Sequence, residues 1–117
     1  MAFDGSLTFK GLRLPKFSDV RSETVDGAEI DIFAVTDTGV WLGEVKDGNV
    51  SKKEVQKFCE KVNVVERSFS VECKVLICLL GIDSAAYNAA QKEGIQIFLR
   101  DDVNFLMANY SKFPILV

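Results

Sequence analysis

An unbroken apolar run, Val75–Leu80, and a largely apolar stretch, Ile95–Leu99, are separated by a segment that starts, runs and stops like a helix, and this spacing leaves the chain few folds to choose from. Asp83-Ser84 is a helix-start pair, an alanine-rich stretch carries Ala85, Ala86, Ala89 and Ala90, and Gly94 is a stop signal. A strand without polar alternation is covered on both faces, which is the habit of parallel sheets. The segment therefore predicts a β-α-β unit with parallel strands and a right-handed crossover. A sheet of that kind needs helices as cover, so the class is α/β.

Upstream the pattern is that of an antiparallel meander. Phe17, Val20 and Val25 are spaced through polar neighbours over residues 16–25, and Asp26-Gly27 is a tight-turn pair. Ile30–Val35 is a second strand, a turn falls at Thr36-Asp37-Thr38-Gly39, and Val40–Lys46 is a third strand. Asp47-Gly48-Asn49 breaks the sheet pattern, and Ser51-Lys52-Lys53-Glu54 is an S-x-x-E capping box opening a helix to about Arg67. Val55, Phe58, Cys59, Val62 and Val65 line the buried face of that helix. A last helix, capped by Asp101 or Asp102, runs through Asn109 with Val103, Leu106, Met107 and Tyr110 turned inward. The 117 residues hold one core, arranged as residues 1–15, an added hairpin or edge segment, and residues 16–117, a single α/β domain.

Composition narrows the chemistry. The chain has no histidine, which removes imidazole acid-base catalysis, Ser-His-Asp and Cys-His nucleophiles, and histidine-ligated metals. Cys59, Cys73 and Cys78 are odd in number and without a C-x-x-C pair, so they are expected as buried thiols in a reducing, cytoplasmic setting. No apolar run reaches the roughly 20 residues of a membrane span, and no signal-like segment opens the chain, so no membrane partner is expected. With 14 Lys and Arg against 17 Asp and Glu the net charge is −3, and any nucleic acid must be met by a local patch.

Carboxylate and lysine chemistry remains, and strand register locates it. A two-residue loop at Asp26-Gly27 pairs Val25 with Ala28, Ser22 with Asp31 and Thr24 with Glu29. A second two-residue loop at Asp37-Thr38 sets Asp31 opposite Glu44 and Glu29 opposite Lys46; a loop at Thr38-Gly39 sets Asp31 opposite Lys46 instead. Under either register Asp31, Glu44, Glu29 and Lys46 are expected on one face. Converging acids repel unless a cation intervenes. Asp31 and Glu44, joined by the carbonyl of Val45, offer hard oxygen ligands suited to Mg²⁺ or Mn²⁺. Lys46 would orient an attacking water or hold a phosphate, the arrangement of metal-dependent phosphodiester hydrolysis. An ion-pair cluster kept for solubility is the plainer alternative, since E-x-K alone is common.

The segments "GAEIDIFAV", "VWLGEVK" and "SKKEVQKFCEKV", followed by "KVLICLLG" and "GIQIFLRDDVNFLM", resemble the PD-(D/E)XK nuclease superfamily, in particular its archaeal Holliday-junction resolvase-like branch. The resemblance covers about Phe17 to Tyr110. It implies a restriction endonuclease-like mixed β-sheet, the antiparallel meander plus the parallel β-α-β unit, flanked by helices. It further implies Asp31 as the motif aspartate, Glu44 as the second acid, Lys46 as the motif lysine, Gln56 as an accessory polar residue on the next helix, and DNA as substrate. Members usually begin with a helix, whereas Met1–Pro15 shows no helical periodicity. The superfamily also includes members that bind nucleic acid or protein without cleaving.

Lys53, Lys57 and Lys61, with Lys52 beside them, form a helical stripe that could follow a phosphate backbone; a solvated face is the plainer reading. Gln56 borders the buried stripe and Trp41 belongs to the core. Because an acidic monomer offers few phosphate contacts, a homodimer or a flanking domain of a longer chain is expected.

Overall fold

The computed structural model describes residues 8–109. Two short strands, β1 (Thr8–Phe9) and β2 (Leu12–Arg13), form a hairpin, and β3 (Asp19–Val25), β4 (Ala28–Val35) and β5 (Val40–Lys46) follow as the expected meander. After β6 (Asn49–Val50) come α1 (Lys52–Glu66), β7 (Val71–Cys78), β8 (Gly81–Ile82), α2 (Ser84–Lys92), β9 (Ile95–Leu99) and α3 (Arg100–Asn109). The main sheet has the order β3-β4-β5-β7-β9, antiparallel from β3 to β5 and parallel from β5 to β9. The fold is α/β, with helices α1 and α2 as the two parallel crossovers. Among the described residues no helix is long and apolar enough to cross a membrane.

Two apolar cores sandwich the sheet. Phe33, Leu42 and Leu76 meet Val55, Phe58 and Val62 of α1 and Ala86 and Ala90 of α2. On the other face Ile32, Trp41, Val75 and Phe98 meet Val103 and Leu106 of α3 together with Leu14 and Phe17. Trp41 is a core residue, set edge-on to Phe17 at 5.4 Å. Leu14 is fully buried, and Lys10 Nζ donates to the Ile97 carbonyl at 3.2 Å, so the segment before β3 is fastened to the sheet.

The hairpins adopt the registers that the turn residues favour. Asp26 and Gly27 both take positive φ, 47° and 86°, as a type I′ turn requires, and Val25 pairs with Ala28. At the second turn Thr36 N–H bonds the Gly39 carbonyl at 2.9 Å and Val35 pairs with Val40, so the loop is Asp37-Thr38. Thr36 Oγ1 accepts the Gly39 N–H at 3.1 Å and donates to Glu72 of β7 at 2.7 Å. That contact explains why β7 begins at Val71, four residues ahead of the apolar run: Glu72 is recruited by the turn.

One irregularity matters for the site. Arg21 pairs with Phe33 but Glu23 pairs with Ile30, so Ser22 faces two residues, Asp31 and Ile32, and β4 carries a bulge there. Its signature is that Ile30 and Phe33, three residues apart, pack in the same core. Strict alternation forbids that, and the sequence has no glycine or proline to announce it.

Helix ends follow local chemistry. The expected box at α1 is present: Ser51 N–H donates to Glu54 Oε1 at 3.1 Å. Helix α3 begins at Arg100 rather than after Asp101 or Asp102; Asp102 Oδ2 instead reaches back to the Leu99 N–H at 2.8 Å. Met107, expected inward, is 47% exposed, while Val103 and Leu106 are fully buried; Tyr110 lies outside the described residues. Asn49, expected as the end of a break at Asp47-Gly48-Asn49, instead pairs together with Val50 in parallel with β8, which knits the loops at the carboxyl ends of β5 and β7.

Candidate functional site

Glu44 is 3% exposed, one of two polar residues in the buried set of the described chain, and a buried carboxylate must be compensated. Its position on β5 aims it at the α1 side of the sheet, the side of Val40 and Leu42. There Lys61 of α1 donates to Glu44 Oε1 at 2.8 Å. Lys46, two residues on and on the same face, lies 3.6 Å from Glu44 Oε2 and 3.8 Å from Glu54 Oε2. The result is a closed run of charge, Lys61, Glu44, Lys46 and Glu54, ending at the amino terminus of α1. Two ammoniums offset two carboxylates.

Asp31 stands one strand away, on the bulge. Its Oδ2 accepts the Val45 N–H at 3.0 Å, and the Ser22 hydroxyl donates to its backbone carbonyl at 3.0 Å. The regular β4–β5 ladder ends at Ile32 and Gly43. Beyond it the carboxylate of Asp31 takes over the acceptor role that a strand carbonyl would play. Within a strand the N–H and C=O of one residue point the same way, so the Val45 carbonyl faces this same gap.

The structure corrects the expectation that four side chains share one face. Glu44 and Lys46 do share the α1 face; Asp31 points along the sheet plane toward Val45. Glu29 is exposed, and alternation from buried Ile30 turns it to the opposite face. The bulge is the physical cause, since one extra residue reverses the alternation on one side of it.

Gln56 is likewise misplaced as a site residue: it is exposed and lines a groove with Lys52, Asn88 and Lys92 between α1 and α2, away from Glu44. The lysine stripe is also broken. Lys52, Lys53 and Lys57 are exposed, but Lys61 turns in, because steps of four residues drift about 40° around a helix. The residue missed by sequence reasoning is Glu54, and Lys61, expected on a phosphate-binding stripe, is instead the partner of Glu44. A signal exists: Glu54, Phe58 and Lys61 form an i, i+4, i+7 line whose middle member is fully buried, so both flanking charges must meet the sheet.

Nearby thiols add no reactive group. Cys78, opposite Lys46 in the ladder, is pushed up to about 11 by burial and then by the charge of Glu54, so it remains a neutral thiol near pH 7. Among the described residues no three or more His, Cys, Asp or Glu cluster as metal ligands. What the chain offers a divalent cation is Asp31, Glu44 and the Val45 carbonyl. That hard oxygen set suits Mg²⁺ or Mn²⁺ in kind, with water completing the shell.

The arrangement lies at the carboxyl end of β5, where the sheet passes from antiparallel to parallel, a region that open α/β sheets use for ligands. No family model matches the chain, and no curated protein matches it. A crystal structure of a protein of unknown function, AF1548, is similar, with a TM-score of 0.55 and 18% identity, covering 68% of this chain and 49% of that one. The chain thus spans about half the length of that structure. At such identity the likeness is one of fold: an α/β domain whose mixed sheet is flanked by helices.

Proposed function

We propose that this chain is a divalent-cation-dependent nuclease domain of the PD-(D/E)XK kind, hydrolysing DNA phosphodiester bonds. The observation that supports this reading is the near-total burial of Glu44 beside Lys46, one strand from an anchored Asp31. Asp31, Glu44 and the Val45 carbonyl would hold Mg²⁺ or Mn²⁺, which supplies charge neutralisation at a phosphate and acidifies water. Lys46 keeps 32% of its side chain exposed and is held only loosely between two carboxylates, which leaves its ammonium able to orient water or a phosphate oxygen. Lys52, Lys53 and Lys57, exposed along α1, would take the strand's phosphates. Exposed apolar residues such as Leu80, Tyr87 and Leu99 are available for a homodimer or a flanking domain.

A second reading has its own support. Lys61 and Lys46 already compensate Glu44, so the buried carboxylate has no unmet charge, as suits a nuclease-like domain that binds nucleic acid or a protein without cleaving. Calorimetric titration with Mn²⁺ separates the two. Binding by the wild type that is lost in Glu44→Gln, together with nicking of a DNA substrate that is lost in Lys46→Ala, supports the nuclease. A wild type that binds no Mn²⁺ supports the second reading.

A further inference from the structure

The closest partner of Glu44 is not the lysine on its own strand. Lys61, on the crossover helix, donates to Oε1 at 2.8 Å, whereas Lys46 stands 3.6 Å from the other oxygen. Glu44 is 3% exposed, so it depends on an adjacent positive charge. Lys61 is differently placed: 32% of its side chain remains exposed, and its four-carbon stem can swing the ammonium to water by rotamer changes alone. The carboxylate is fixed while its main counter-ion is free to leave. The same carboxylate is one of two in the candidate cation site, and an ammonium and a divalent cation held on one buried carboxylate repel each other strongly.

We propose that Lys61 is a resident counter-ion that competes with a divalent cation for Glu44, a proposal that rests on the cation-dependent reading above. In the cation-free protein Lys61 pairs with the buried carboxylate and holds it in place. When the cation binds, Lys61 gives up Glu44 and turns to solvent. The folded site is thereby tolerated without metal, at the cost of weaker metal affinity.

The test uses two substitutions and one measurement on the unaltered protein. Lys61→Gln leaves a hydrogen-bond donor near Glu44 without its charge, and Lys61→Arg keeps the charge. Mn²⁺ titrated calorimetrically into each folded protein should bind Lys61→Gln at least tenfold more tightly than wild type, and Lys61→Arg about as weakly as wild type. In the wild type, Mg²⁺ should move the Lys61 side-chain methylene NMR signals to those of a solvent-exposed lysine as it saturates, a readout that survives even if Lys61→Gln fails to fold. Equal or weaker Mn²⁺ binding by Lys61→Gln, with Lys61 signals unmoved at saturating Mg²⁺, overturns the proposal and leaves the cation site standing. Absence of Glu44-dependent binding in every variant overturns the cation-dependent reading along with it.

Discussion

At the scale of single residues the consequences of Glu44 and Asp31 differ in size. Glu44→Ala removes the buried partner of Lys61 and Lys46, both of which are one-third exposed and can turn to water, so the lost charged hydrogen bond should cost about 2 kcal/mol. Asp31→Ala strips the Val45 N–H of an exposed acceptor and should cost about 1 kcal/mol. Urea unfolding of both variants checks the ordering. The thiols give a pH prediction. Burial pushes Cys73 and Cys78 up to about 11, above the free-thiol range, so the folded state retains protons that the unfolded chain releases. Their contribution is fully present below about pH 8.5 and is lost as pH climbs toward 11. Melting temperature should therefore decline through that window, and replacing both cysteines with alanine should flatten the decline. A thiol reagent at pH 8 should reach half-buried Cys59 before buried Cys78.

At the scale of elements, close approach governs which substitutions the sheet accepts. A methyl added at Gly39 would strike the Ser70 carbonyl, which already accepts the Val40 N–H, and neither piece of backbone has room to yield. Gly39→Ala should cost about 2 kcal/mol or more by urea unfolding, whereas a methyl at Gly43 meets Ile32 at 3.1 Å and should cost less. The elements themselves were readable because their signals are local: Asp26-Gly27, the Ser51–Glu54 box, and the two apolar runs around an alanine-rich helix each act within a few residues. The site was readable only in part. Glu44 and Lys46 follow from strict alternation along β5, but the bulge at Asp31 arises from β4 serving two neighbours with different demands, and no residue type marks it. Gln56 is expected at the site from the resemblance alone, with no local signal behind it, and Lys61 leaves the lysine stripe because four-residue steps drift around a helix and carry the third lysine onto the sheet. Gln56→Ala should accordingly leave Mn²⁺ affinity and stability unchanged, a comparison that calorimetry and urea unfolding make directly.

At the scale of the molecule, a net charge of −3 requires that any hold on DNA come from a local basic patch, for which exposed Lys52, Lys53 and Lys57 are the candidates. Lys53→Glu with Lys57→Glu should weaken DNA binding and flatten its salt dependence, each lost phosphate contact removing about 0.9 from the logarithmic slope. Stability should change by no more than about 0.5 kcal/mol per site, because exposed helix lysines contribute little to folding. Light scattering across the same salt series would give the mass of the binding species. How a second copy could attach is constrained by the two outer strands. On β3, Arg21 is clamped between Asp19 and Glu23, a fence of charge along one edge. On β9, Lys10 occupies the Ile97 carbonyl. Among the described residues both outer strands are thus blunted against further strands, which favours pairing of copies helix to helix or face to face, without lengthening the ladder.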